Sequence, residues 1–438
     1  MFQTLSRRTA FLSVLAVRDF RIFSAGLLTT VLGRQILVVT QAWLVYDMTG
    51  SPLALGVVGG AHAVPGILVA LFSGALADRF DPRRIILAAE AASALLLLVL
   101  ATLVATGLVQ VWHIIVVAFL TGITQAFDSP ARRSIWAPMV PREKFLFAIS
   151  VNSSIWNVTH IAAPALAGAI IASVGSLAND DRVGAGAGFY VAFAGFLTMV
   201  IAMRMVRVAP AQRSRGATVF HDIVDGFVFM RRNRVHLYLL ALSLSAGYFG
   251  LSYIYLMPVF AEDYLRVGPG GYGALLSMAG IGGLVGMMGV ASFGQYQDRP
   301  WLIIGSLTLA GSTMVLFAVT TAMVQSYVLA MAFMVVIGGS FAVFQVATST
   351  AMNLLVPDEY RGRIMGFRGI MFSLAPLGSL QAGVIASVSS TPLAVGFAGA
   401  MLAVIGLLVY VVSPDIRGLR RIVTEANATY AQRTVSGG

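Results

Sequence analysis

The chain has 438 residues, 58% of them hydrophobic and only 11% charged, with 45 glycines and no cysteine. A soluble domain carries about 25% charged residues, so this composition cannot cover a water-facing surface. It excludes a soluble enzyme, a disulfide scaffold, a thiolate metal site and a disordered chain. What remains is an all-α polytopic membrane protein, whose formal charge of +11 reflects topology and not nucleic-acid binding.

A bilayer core takes roughly 20 apolar residues per helix. Twelve spans are expected, near residues 21–46, 53–76, 84–106, 112–135, 146–174, 186–206, 236–261, 273–295, 301–322, 326–354, 364–388 and 392–413. Short polar or Gly/Pro-bearing breaks separate them, as at 47–52, 107–110 and 267–271. The long uniform apolar runs do not fit the alternating ten-residue strands of a membrane barrel.

Loop charges set the orientation. Of the 29 basic residues, 26 fall at the two ends or in the even-numbered loops, including Arg79, Arg83, Arg84, Arg132, Arg133, Lys144, Arg299 and Arg361. The opposite side holds only Arg182 and Arg266, and Arg34 lies within a span. By the positive-inside rule both termini are expected in the cytoplasm, with the chain spanning a membrane many times. The Ser6-Arg7-Arg8 stretch resembles a twin-arginine export signal, but the apolar run after it ends at Arg18-Asp19, too short for a signal core.

An internal repeat divides the chain. Gly74-Ala-Leu-Ala-Asp78-Arg79 follows the second span, and Gly294-Gln-Tyr-Gln-Asp298-Arg299 follows the eighth with the same spacing. Val140-Pro141 and Val356-Pro357 precede the fifth and eleventh spans, which carry Ala163-Pro164 and Ala375-Pro376. Successive offsets of 220, 216 and 212 residues are close to half the chain, as in rocking transporters built from two parallel six-helix repeats. The expected division is an N-terminal half (1–206), a cytoplasmic linker with an amphipathic helix (207–234), a C-terminal half (235–414) and a cytoplasmic tail (415–438).

These residues resemble the major facilitator superfamily. Gly74-Ala-Leu-Ala-Asp78-Arg79-Phe-Asp-Pro-Arg83-Arg84 is similar to its signature loop between the second and third helices. The stretches 43–56, Ala126-Phe-Asp-Ser-Pro-Ala-Arg132, Met257-Pro-Val-Phe260 and Leu355-Val-Pro-Asp-Glu-Tyr-Arg-Gly-Arg363 resemble its enterobactin-exporter-type branch. The resemblance implies a major facilitator fold. It also implies a gating role for Gly74, Asp78, Arg79, Arg83 and Arg132, and for Gly294, Asp298 and Arg299 in the second half. Many relatives carry an acid in the middle of the first helix, where this chain has Arg34.

Ionisable groups at membrane depth are costly, so they are candidates for function. Thr30, Arg34 and Gln41 share one helix face, as do Thr121, Gln125, Asp128 and Arg132 in the fourth span. Ser153, Asn157 and His160 do so in the fifth, and Ser245, Tyr248, Ser252 and Tyr255 in the seventh. These faces suggest a wet pathway, with Arg34, Gln41, His62, Gln125, Asn157, His160, Tyr248 and Tyr255 as cavity residues. Proton exchange needs a desolvated carboxylate or a histidine, so Glu90, Asp128, His62 and His160 are the coupling candidates. Arg34, read as a fixed cation without a central carboxylate, favours an anionic cargo.

The expected function is therefore secondary active export of a small organic solute, siderophore-like or drug-like, by alternating access with the proton as coupling ion. A lysophospholipid flipping carrier and efflux of lipophilic cations are the alternatives. An enzyme is not expected, since no His-Glu-x-x-His, Gly-x-Ser-x-Gly or P-loop pattern occurs and the five histidines are scattered. No cofactor or metal is implied. The expected partners are the solute, the proton and the bilayer, with the chain acting as a monomer.

Overall fold

A computed structural model describes residues 13–77, 81–207, 228, 230, 234–292, 300–356 and 358–418. Six helices form the first half: α1 (Arg18–Thr49), α2 (Pro52–Ala77), α3 (Pro82–Ala105), α4 (Val111–Ile135), α5 (Phe145–Ala178) and α6 (Asp181–Met205). The second half holds α7 in two pieces (Arg234–Tyr248 and Tyr253–Val259), α8 (Gly268–Ser292), α9 (Pro300–Met323), α10 (Tyr327–Leu355), α11 (Asp358–Val388) and α12 (Thr391–Val412). The described chain is a helical membrane protein. Among the described residues, ten stretches are long and apolar enough to cross a bilayer, and shorter apolar stretches lie in α2 (Pro52–Leu68) and α11 (Leu374–Val388), in keeping with twelve spans.

Helix ends follow local chemistry. Asp81, directly before Pro82, accepts a hydrogen bond from the Arg83 amide and starts α3. Asp180, Ser326 and Ser390 cap α6, α10 and α12 in the same way. Gly50, at φ 58°, closes α1 in a left-handed turn where a side chain would be strained.

The seventh span departs from the continuous helix expected over 236–261. It unwinds after Tyr248, resumes at Tyr253, and widens into a π-turn over Phe260–Tyr264. Gly247 precedes the unwound turn and Gly250 lies within it, and both lower the gain from keeping it helical. Pro258 removes a backbone donor farther on. The Ser252 hydroxyl donates to the Phe249 carbonyl at 2.8 Å, satisfying a polar group at the break.

The chain packs as two compact units, Met1–Gly216 with Val267–Ser277, and Ala217–Arg266 with Met278–Gly438. The segment 267–277, which belongs by sequence to the second half, thus groups with the first. There Tyr272 stacks on Trp43 with ring centroids 5.9 Å apart.

The two units repeat their packing. In the first, α1 packs on α5, α3 on both α4 and α6, and α5 on α6. In the second, α7 packs on α11, α9 on both α10 and α12, and α11 on α12. The α2–α4 contact closes at Gly122, where a Cβ would overlap the His62 carbonyl. Its counterpart between α8 and α10 closes at Gly338, where a Cβ would overlap the Ala279 carbonyl. Gly338 lies 216 residues after Gly122, so the repeat read from the loops extends into the helix contacts.

Candidate functional site

The first unit carries a buried network drawn from three helices. Asp128 and Arg132 are one turn apart on α4, and the Arg132 Nε donates to Asp128 Oδ2 at 3.0 Å. Its Nη2 donates to Asp128 Oδ1 at 2.9 Å and also to Glu90 of α3. Thr30 on α1 donates to the other Glu90 oxygen at 2.8 Å. Arg34, one turn along α1, reaches Asp128 Oδ2 with Nη2 at 3.3 Å. Close by, the Ser93 and Thr124 hydroxyls bridge α3 and α4 at 2.7 Å.

Two guanidinium groups thus face two carboxylates, and the ionised cluster sums to zero. Pairing is what makes such burial tolerable, because an isolated charge at this depth is costly. The two arginines differ. The Arg132 side chain is 10% exposed and grips Asp128 through two nitrogens, whereas Arg34 is 18% exposed and makes one longer contact. Arg34 is the looser partner. The Nη1 of Arg132 is buried and has no hydrogen-bond partner among the described residues.

This geometry corrects the expectation that Arg34 is a cation lacking a central carboxylate, since Asp128 occupies that place from α4. The argument for an anionic cargo falls with it. Gln41, expected to line the cavity, is buried and donates to the Ile114 carbonyl on α4 at 3.2 Å. Thr30 is buried as well, so this face of α1 is a polar seam between helices. Sequence spacing places residues on a face but cannot say what covers it.

Of the remaining expected residues, His62 on α2 is half-buried and bonds the Ala118 carbonyl on α4 at 3.2 Å, with Gln125 as a further partner. His160 on α5 is exposed and meets Gln35 of α1, its Nδ1 lying 2.6 Å from the amide nitrogen. Asn157, one turn before it, is half-buried. Tyr248 and Tyr255 are half-buried in the second unit, where Tyr248 meets Phe249 edge-on with centroids 4.9 Å apart. The structure therefore joins Arg34, Glu90, Asp128 and Arg132, and does not bring the two tyrosines into that cluster. Gln35 escaped the sequence reading, although an amide in an apolar run was a signal of the same kind as Arg34.

Arg83 donates to the carbonyls of Met203 and Arg204 at 3.0 and 3.1 Å, capping the end of α6. Arg132, grouped by resemblance with the gate, sits in the buried network. Gly74 lies in α2. Asp78, Arg79, Gly294, Asp298 and Arg299 lie outside the described residues, as does most of the expected linker helix.

A transmembrane secretion effector model, one of the major facilitator families, matches residues 9–429. The chain belongs to that family. It is a multi-pass membrane transporter of the efflux type and not an enzyme. It is 27% identical over 371 residues to "Multidrug efflux pump Tap" of Mycolicibacterium fortuitum, covering 82% of this chain and 87% of that one. "Macrolide efflux protein A" of Streptococcus pyogenes is 23% identical, with 83% and 88% covered. "Staphyloferrin A transporter" of Staphylococcus aureus (strain NCTC 8325 / PS 47) is 24% identical, with 79% and 84% covered. Among solved structures, a D-xylose–proton symporter superposes with TM-score 0.71 at 14% identity, covering 91% of this chain and 98% of that one. A bacterial homologue of the lysosomal transporter Spinster superposes with TM-score 0.66 at 17% identity, covering 93% and 91%. The structural likenesses carry the fold.

Proposed function

We propose that this transporter exports a small organic solute across the bacterial cytoplasmic membrane by alternating access of its two six-helix halves, driven by protons through Asp128 and Glu90. The observation that carries the coupling is the sharing of Asp128 between Arg34 and Arg132. Protonating Asp128 leaves two cations facing one carboxylate, and the resulting repulsion falls first on Arg34, the looser partner. A proton taken up at Asp128 thereby becomes a displacement within α1. Releasing it restores the pair.

The efflux relatives support export, and the balanced network supports an uncharged or weakly charged cargo. Both termini are assigned to the cytoplasm from the loop arginines, with Asp78 and Asp298 as gate residues, and the chain works as a monomer.

Expression in a drug-susceptible bacterium tests the reading through accumulation of chloramphenicol, erythromycin and ethidium. The protein is expected to lower the accumulation of at least one, and a protonophore is expected to abolish the difference. Unchanged accumulation of all three, or lowering that survives the protonophore, overturns it.

A further inference from the structure

Gln35 and His160 stand apart from the ion network. Gln35 falls seventeen residues beyond Arg18 in a helix of 32, and His160 fifteen beyond Phe145 in a helix of 34. Both are therefore near mid-span, where lipid offers a polar group no partner. His160 is nevertheless exposed, with Gln35, Trp156 and Asn157 half-buried around it. Ionisable side chains at that depth face the bundle interior or a water-filled cavity and not acyl chains.

The Gln35 amide nitrogen lies 2.6 Å from His160 Nδ1 and 3.3 Å from its Nε2. A neutral imidazole carries one N–H and one acceptor nitrogen, and an amide carries both a donor and an acceptor, so the pair presents hydrogen-bonding groups of both kinds. The Trp156 ring lies beside the imidazole with centroids 6.1 Å apart. Arg34, the neighbouring cation in the chain, is engaged with Asp128. The patch thus offers amide and imidazole hydrogen-bonding groups next to an aromatic surface.

We infer that Gln35, Trp156 and His160 form a recognition patch for an uncharged aromatic solute bearing a hydrogen-bond acceptor such as a carbonyl or amide. The inference rests on the export reading above and names the cargo class for it. The ring of such a solute lies against Trp156, and its acceptor takes an N–H of the Gln35–His160 pair. An acceptor that also competes for Gln35 pulls on the turn that holds Arg34 against Asp128, linking cargo to the ion network.

The test uses the full chain purified in detergent, with binding read from tryptophan fluorescence quenching and folding checked by melting temperature. The probes are chloramphenicol (an uncharged aromatic amide), tetraphenylphosphonium (an aromatic cation without an acceptor) and citrate (an anion). Chloramphenicol is expected to bind wild type best. His160→Ala and Gln35→Ala are each expected to weaken it at least tenfold, with melting temperatures unchanged. Trp156→Phe, which keeps a ring, is expected to weaken it less than Trp156→Ala. Chloramphenicol affinity unchanged in His160→Ala overturns the patch, and so does preferential binding of citrate or tetraphenylphosphonium. Efflux in cells separates the two readings. Wild-type export with chloramphenicol binding insensitive to His160 removes the patch alone, whereas His160-dependent binding without any export removes the transport reading and leaves the patch.

Discussion

The two units share a packing plan and differ in chemistry. Advancing Asp128 and Arg132 by the 216 residues that relate Gly122 to Gly338 gives Phe344 and Thr348, both buried. The second unit thus puts a phenyl ring and a hydroxyl where the first puts an ion pair. Helices α8, α9, α10 and α12 contain no Asp, Glu, Lys, Arg or His, whereas α1 to α5 carry Arg34, His62, Glu90, Asp128, Arg132 and His160. The duplicated part of the sequence is what helix packing needs, namely small residues where backbones meet. The unduplicated part is the buried ion pair of α4, whereas the Asp-Arg step of the loops recurs at 78–79 and 298–299.

Removing Arg132 attacks the feature that the second unit lacks. Arg132→Ala leaves Glu90 and Asp128 facing each other in a buried site, and breaking such a pair costs about 3–5 kcal/mol. Thermal denaturation in detergent is expected to show the largest loss of the set, and Thr348→Ala at the matching position only a small one. Equal losses would mean that the network adds nothing particular to the first unit.

The glycine contacts test the shared half of the comparison. Gly122→Val and Gly338→Val each drive a side chain into a carbonyl of the facing helix, and overpacking of this kind costs about 1–3 kcal/mol. The two variants are expected to lose similar melting temperature. A large difference between them would break the equivalence of the α2–α4 and α8–α10 contacts.

Gln41→Ala removes one interhelical hydrogen bond within the α1–α4 seam. Such bonds average about 0.6 kcal/mol in membranes, so the expected shift is small but measurable, and export is expected to continue. The smallest effect belongs to the Asp47–Arg182 pair, 2.8 Å apart and partly exposed. Arg182→Ala is expected to cost no more than about 0.2–1 kcal/mol, less at high salt. A salt-independent loss as large as that of Arg132→Ala would place a second essential ion pair in the first unit.

The fold was legible because each span is written as a local apolar run, and the loops carry a second copy of the same punctuation. The break in α7 was not, since Gly247 and Gly250 resemble many glycines here that remain helical. Single residues at membrane depth were legible as candidates, and Arg34, Glu90, Asp128 and Arg132 were all singled out. Their pairing was hidden because Arg34 and Asp128 are 94 residues apart, and only tertiary packing brings α1 against α4. The same limit put Gln41 on a wet face when it belongs to a buried seam.

The central claim is that the network of the first unit couples protons to cargo. The most direct measurement is transport in proteoliposomes under an imposed pH gradient, using the solute that wild type exports in cells and comparing wild type with Asp128→Asn. Wild type should move the solute uphill and dissipate the gradient. Asp128→Asn, which cannot exchange the proton, should still equilibrate the solute downhill but lose uphill movement. If Asp128→Asn concentrates the solute as wild type does, the coupling does not run through Asp128 and the account fails.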